Sequence, residues 1–234
     1  MKLSKRLKSV AEQIMDSEVT ADIGCDHGFT SIYLIRTGRA KRVIAADVGK
    51  EPLNRAKEHI LQYGMQDRIE LRQSDGLERI REGEADTLII SGLGGQLMCR
   101  ILREGKKKLS GVRKLVLSPQ SDISMVRKLI HETGFCIQRE CMVFDAKKYY
   151  VILSAVPGTE KYETEVEYVY GRYLAEHGEP VFGSYMKDEY RKVTEVIRTM
   201  EKTRLSGEGN RRLEYLREKK EQIVQILHKM NIPE

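Results

Sequence analysis

The 234-residue sequence predicts an α/β fold: a parallel sheet covered by helices, closed by an antiparallel hairpin and followed by a helical tail. Three observations predict it. Apolar, strand-like runs alternate with amphipathic segments from residue 19 to residue 133, and regular βα alternation makes a parallel sheet with helices on both faces. Two strand-like runs, 135–144 and 148–156, are separated only by Asp145-Ala146-Lys147, a link that only an antiparallel pair can use. Beyond Pro157-Gly158 no strand pattern recurs, and apolar residues return at spacings of three and four.

The elements follow in order. Residues 4–16 read as a helix, with Ser4 as its cap and Leu7, Val10, Ala11 and Ile14 on one face. Strands are expected at 19–24, 42–47, 68–73, 86–91 and 114–118, and helices at 28–37, 51–63, 94–104 and 122–133. A doubly wound sheet that finishes in an antiparallel hairpin is the Rossmann-like plan of class I methyltransferases, whereas the ordinary dinucleotide fold has no such requirement. This places a catalytic domain at 1–157 and a helical domain at 158–234, with Pro157-Gly158 as the boundary. In the second domain 160–176 reads as one helix, and His177-Gly178-Glu179-Pro180 as a break. Tyr190, Val193, Ile197 and Met200, then Leu213, Leu216, Lys220, Ile223, Leu227 and Met230, form two heptad runs with Ser206-Gly207-Glu208-Gly209 between them. They predict an antiparallel coiled-coil hairpin.

Composition narrows the function classes. No run approaches the roughly 20 apolar residues that span a bilayer, and the basic start lacks the apolar stretch of a signal peptide. Cys25, Cys99, Cys136 and Cys141 form no CxxC pair, and no Cys/His spacing suits a metal. Free thiols without an export signal lead to the expectation of a cytoplasmic protein. The net charge of +6 is uneven: residues 1–157 hold 27 Lys/Arg against 20 Asp/Glu, and residues 158–234 hold 14 against 15. Excess positive charge on the catalytic part suits a polyanionic substrate.

The first chemical motif is Ala21-Asp22-Ile23-Gly24-Cys25-Asp26-His27-Gly28, between a strand and a helix. Its glycine spacing is wrong for the G-x-G-x-x-G dinucleotide fingerprint and fits the D-x-G-x-x-x-G loop of S-adenosylmethionine (SAM) methyltransferases. Gly24 and Gly28 let the backbone approach the methionine moiety, with Asp22 and Cys25 in the same loop. The N–H groups of the following helix face its carboxylate. Asp47, 23 residues after Gly24 and followed by Val48, ends the second strand, where an acid takes ribose hydroxyls. Asp75-Gly76 follows the third strand, where it can accept from the adenine amine. Asp26 and His27 have two readings: one faces the methyl donor or the target base, or Asp26 caps the helix and His27 packs.

The fourth strand ends in Ser91-Gly92-Leu93-Gly94-Gly95. Methyltransferases position the target atom here. The Asn/Asp-Pro-Pro-aromatic motif of exocyclic-amine methylation is absent, and three glycines leave backbone on which a planar ring can lie.

Gly92-Leu93-Gly94-Gly95 resembles the GMGG motif of the bacterial tRNA (adenine-22-N1)-methyltransferases, and Ala21–Gly28 resembles that family's ADIGSDHAY loop. Leu3-Ser4-Lys5-Arg6-Leu7, Pro52-Leu53, Ser74-Asp75-Gly76-Leu77 and the hairpin with Lys148-Tyr149-Tyr150 are similar to its pattern as well. Leu93 stands for Met, Gly28-Phe29 for Ala-Tyr, and Ser118-Pro119-Gln120 for Gln-Pro-Asn. The resemblance implies SAM as cofactor, tRNA as partner, and N1-methyladenosine at adenine 22 of the D-arm region as product. It implies catalytic roles around Asp26, His27 and Gly92–Gly95, and substrate contacts from Lys5, Arg6, Pro119, Gln120 and Tyr149.

Two basic groups qualify as phosphate contacts: Lys2, Lys5, Arg6 and Lys8, then Arg100, Arg103, Lys106–Lys108, Arg113 and Lys114, of which Lys106–Lys108 read more readily as a solvated face. A small-molecule methyltransferase and a non-catalytic SAM- or RNA-binding protein are the alternatives. The coiled coil is either a tRNA arm or a packing or dimerisation element, and the chain a monomer or homodimer.

Overall fold

The apolar runs come together in one seven-stranded sheet in the computed structural model, which describes residues 3–202 and 206–233. The strands are β1 (Ser17–Ile23), β2 (Ala40–Asp47), β3 (Ile69–Gln73), β4 (Thr87–Ser91), β5 (Lys114–Ser118), β6 (Phe135–Asp145) and β7 (Lys148–Pro157), ordered β3-β2-β1-β4-β5-β7-β6. The first five are parallel; β7 runs antiparallel between β5 and β6. Val43–Ala46 of β2 and Leu88–Ile90 of β4 are buried without interruption, as strands covered on both faces are.

The helices of this unit are α1 (Lys5–Glu12), α2 (Phe29–Arg36), α3 (Lys50–Gln62), α4 (Gly95–Glu104) and α5 (Ile123–Glu132). Ser4 caps α1, accepting from Leu7 N at 3.3 Å. α1 ends before the expected residue 16 because Arg39 captures the carbonyls of Glu12 (3.3 Å) and Ile14 (2.7 Å), and Asp16 turns the chain at φ +53°. Inside the unit a buried ion pair, Arg127 to Glu140 at 2.7 Å, ties α5 to β6.

The two compact units are Met1–Glu163 and Thr164–Glu234. The division falls six residues beyond Pro157-Gly158 because the intervening segment stays on the first unit. Glu160 accepts from Ile137 N at 2.8 Å and meets His131 at 3.1 Å, and the buried Tyr162 sets its edge on the His131 ring. The helix expected at 160–176 is two, α6 (Glu165–Tyr170) and α7 (Arg172–His177), broken at Gly171 with φ +93°. A capping box between Thr164 and Glu167 starts α6.

Then come α8 (Pro180–Glu201) and α9 (Gly207–Lys229). Cross-links from Glu189 to Lys219 (2.9 Å) and from Glu201 to Arg217 (2.6 Å) fix them as an antiparallel pair. Phe182, Met186, Val193 and Ile197 on α8, and Leu213, Ile223 and Leu227 on α9, are buried. The Ser206–Gly209 stretch is the capped first turn of α9 rather than a free turn, with Ser206 accepting from Gly209 N at 3.3 Å. No helix among the described residues is long and apolar enough to cross a membrane.

Candidate functional site

The C-terminal ends of β1, β2 and β4 open into a cavity of about 370 Å³. It lies where the strand order reverses between β1 and β4, which is where open α/β sheets bind ligands. The β1–β2 wall is acidic. Asp22 is buried and accepts from Ser31 Oγ at 2.7 Å. Burial raises its pKa from 3.8 to about 6; the Ser31 bond opposes that rise and the nearby Asp47 charge adds to it. After β1 the chain turns at Gly24 (φ +73°), and the N–H groups of Gly24 and Cys25 both donate to Ala46 O, at 2.8 and 3.1 Å. That bond pair lays the loop across the end of β2. The Cys25 thiol is buried and pushed upward in pKa by that burial, so it is inert.

Asp47 is fixed before any ligand arrives. Its carboxylate accepts from Gly49 N at 2.9 Å and from Asp26 N at 3.3 Å. Asp26 sits at φ +47°, a conformation non-glycine residues seldom adopt. Its side chain points outward to Arg55 (3.2 Å) and His27 Nε2 (3.6 Å). Gly28, not Asp26, is the N-cap of α2, with no side-chain cap bond. A Cβ on Gly28 would stand 3.1 Å from that of Ala56, so glycine lets α2 start close to α3. His27 stacks on Phe29 (5.7 Å), which stacks on His59 (4.4 Å).

The opposite wall is assembled from distant segments. Arg6 of α1 donates from Nη1 to Ser91 Oγ at 3.2 Å and lies 5.3 Å from the Tyr150 ring centroid. Its backbone N–H donates to Asp145 Oδ2 at 3.0 Å. That bond, first among several causes, holds the Asp145 carboxyl below the usual range. Gly92 has φ +84°, and a Cβ there would stand 3.0 Å from Arg6 Nη1. The expected bare surface is therefore covered at Gly92 by a guanidinium. Leu93 turns back onto Gly24, and Gln120, whose N–H donates to Leu93 O at 2.9 Å, completes this wall.

Several expected residues lie elsewhere. Asp75 is exposed and paired with Arg100 at 2.9 Å; it lines a separate pocket of about 230 Å³. Gly76 serves packing, since a Cβ would fall 2.9 Å from Ile101. Gly94 caps α4, and at Gly95 a Cβ would lie 2.3 Å from Ser121 O, so these glycines seat the β5–α5 loop outside the cavity. Pro119 is buried beside Gln120, Val48 is exposed beside Asp47, and Lys5 is exposed. Tyr149 pairs with Phe144 (4.8 Å) on the hairpin face away from Arg6. Lys106–Leu109 form a 3₁₀ turn after the far end of α4, and with Lys114 at the start of β5 they occupy the edge opposite the cavity. Lys2 lies outside the described residues.

Leu7, Phe29 and Thr30 in the lining and Asp145 behind Arg6 carry no signal of a site in the sequence, whereas Ser91 and Tyr150 stand in motifs that do. Strand alternation offered one signal: of Tyr149 and Tyr150, only one can face α1. A larger groove of about 640 Å³ between α8 and α9, lined by Arg198, Glu201, Arg217, Lys220 and Glu221 among others, has no glycine loop. Among the described residues no group of three His, Cys, Asp or Glu is placed to hold a metal.

A family model described as "Methyltransferase domain" matches residues 3–153. The tRNA (adenine(22)-N(1))-methyltransferase of Bacillus subtilis is 37% identical over 158 residues, which are 68% of this chain and 66% of that protein, so the match spans about two thirds of the curated relative. A putative tRNA methyltransferase of Mycoplasma pneumoniae is 26% identical over 74% of this chain and 81% of that protein. Among solved structures, a putative tRNA (m1A22) methyltransferase of Streptococcus pneumoniae in complex with S-adenosyl-L-methionine superposes with a TM-score of 0.86 at 28% identity, covering 97% of this chain and 100% of that one. The B. subtilis m1A22 tRNA methyltransferase TrmK gives 0.85 at 29% identity, covering 97% and 99%.

Proposed function

The chain belongs to the methyltransferase-domain family, and from that footing we propose that it is a SAM-dependent tRNA methyltransferase forming N1-methyladenosine at adenine 22 in the D-arm region. The observation that carries this reading is one cavity with a SAM-type glycine loop on one wall and a guanidinium on the other. The B. subtilis relative, 37% identical over the matched residues, acts by its name on tRNA adenine 22.

The residues present fit SAM. Gly24 offers backbone without a side chain at the cavity, and the first turn of α2 offers N–H groups that no cap side chain uses. Asp47, held by two backbone N–H groups, is oriented for ribose hydroxyls. Asp75 has no part in this reading, because Arg100 already takes its carboxylate.

SAM supplies, when bound, a methyl on a sulfonium: adenine N1 forms the new bond with its lone pair, the sulfur keeps the electrons of the broken bond, and S-adenosylhomocysteine leaves. N1 is a neutral ring nitrogen, so no side chain has to deprotonate it first. The positive charge that develops on the ring is favoured by the wall that carries the Asp22 and Asp47 carboxylates. The methylated ring leaves as a cation, whose exocyclic amine can exchange its proton with solvent after release. Leu93 and Leu7 exclude water from one side of the cavity, and Gln120 offers an amide to the base. Holding N1 in line is then the main catalytic contribution. Arg6 is a cation, and a cation beside N1 would oppose the reaction, so we assign it to the nucleotide's phosphate, with Lys5 beside it. The N1 edge is the Watson–Crick edge, so the base enters unpaired.

Methyl-labelled SAM and a tRNA transcript test this. Label is expected in the transcript with adenine 22 and not in one carrying guanine 22; equal labelling of both would overturn the assignment.

A further inference from the structure

The tip of the β6–β7 hairpin stands beside the cavity and takes no part in the chemistry above. Parallel strands β1–β5 point their C-terminal ends at the cavity, and β6 ends at that same edge. Its last residue, Asp145, is bonded to the backbone of Arg6, which lines the cavity. One face of the hairpin, with Tyr150, is used by Arg6. The other carries Phe144 and Tyr149, a cross-strand pair with ring centroids 4.8 Å apart. Phe144 is 46% exposed, one of few large apolar side chains so open in this unit.

Two further observations say what covers it. The turn between the strands holds Ala146 at φ +46° and Lys147 at φ +63°. Two left-handed residues in succession make the hairpin turn that normally takes Asn-Gly, and here it is built with residues that gain nothing from that conformation. The result sets Lys147 and Lys148 at the tip, with Lys5 close enough to act on the Asp145 carboxyl. An exposed aromatic ring beside a hairpin turn that carries Lys147 and Lys148 has the chemistry of a single-stranded nucleic-acid platform: the base stacks and the backbone phosphate meets the ammonium groups at the tip.

We propose that Phe144, supported by Tyr149, stacks the nucleotide next to the target adenine, with Lys147 and Lys148 on its phosphates. This rests on the tRNA reading. A base withdrawn from its stack leaves a neighbour without a stacking partner, and Phe144 replaces that partner at the hairpin tip.

The chain has no tryptophan, so Phe144→Trp places a single indole on the platform. Its fluorescence is expected to be quenched by saturating tRNA and not by SAM alone. Phe144→Leu keeps an apolar side chain and removes the π-face. It is expected to raise the KM for tRNA by about tenfold, with SAM affinity and melting temperature unchanged. Unquenched indole together with an unchanged KM in Phe144→Leu would overturn the platform while leaving the tRNA reading intact. Absence of methyl transfer to tRNA by the unaltered protein would instead overturn that reading and this proposal with it.

Discussion

The wall that β1 and β2 give the cavity carries two carboxylates, Asp22 and Asp47, and every bond that shapes it joins residues within about one βα unit. The wall across it carries Arg6, and the bonds that hold Arg6 reach residues 85 and 139 positions away in the chain. The first wall is a local device repeated wherever this fold binds a cofactor. The second exists only once α1, β4 and the β6–β7 hairpin have met. On the proposed function, cofactor recognition and substrate recognition are separable here, and substitutions should affect one without the other.

The largest expected effect is on stability. Burial lifts Asp22 from 3.8 to about 6, so between those values the native chain holds a proton that the unfolded chain has released. Its contribution to stability is full below about pH 4 and is lost as pH rises through 6. Above that the buried charge costs on the order of 3 kcal/mol. Asp22→Asn should therefore be the more stable protein in urea at about pH 8, the gap closing by about pH 4, while methyl transfer falls. A gap independent of pH would mean that Asp22 is not the titrating group.

Next comes the cofactor side. Asp47→Ala should weaken SAM binding by about a hundredfold, the scale of two hydrogen bonds to a charged group, with tRNA affinity little changed in calorimetry. On the substrate side, Arg6→Ala should weaken tRNA binding by about tenfold and make its salt dependence shallower by about one ion, with SAM affinity unaffected. Gly92→Ala should act in the same direction and more weakly, since its Cβ would stand 3.0 Å from Arg6 Nη1 and push the guanidinium aside. If either variant lowered both affinities together, the division into two walls would fail. The smallest effect is expected from replacing Lys106, Lys107 and Lys108 by Gln: at the opposite edge of the sheet, they should change tRNA affinity by less than about twofold.

The same contrast explains what could be read from the chain before its fold was known. The order of strands and helices, the closing hairpin and the acidic loop were legible because each is written in a contiguous stretch with its own period or glycine spacing. Asp47 was legible because it ends the next strand. Arg6 drew notice as a basic residue, but its seat between Ser91 and Tyr150 was not readable, because no spacing records a meeting of residues so far apart. Gly92, Gly94 and Gly95 looked like one flat surface. In the fold they answer to three neighbours: the Arg6 guanidinium, the α4 N-terminus and the Ser121 carbonyl. Asp75 stands at the expected strand end, yet Arg100 on α4 claims it. Gly171 was hidden for a related reason: apolar periodicity runs through it, and only its positive φ reveals the break between α6 and α7.

The most direct test of the account is the identity of the product. tRNA methylated from labelled SAM and digested to nucleosides at neutral pH should yield its label as N1-methyladenosine, mapped to position 22. Label in N6-methyladenosine would contradict the in-line attack by N1 that the acidic wall favours, and no label in tRNA would contradict the pairing of the two walls as a methyltransferase site.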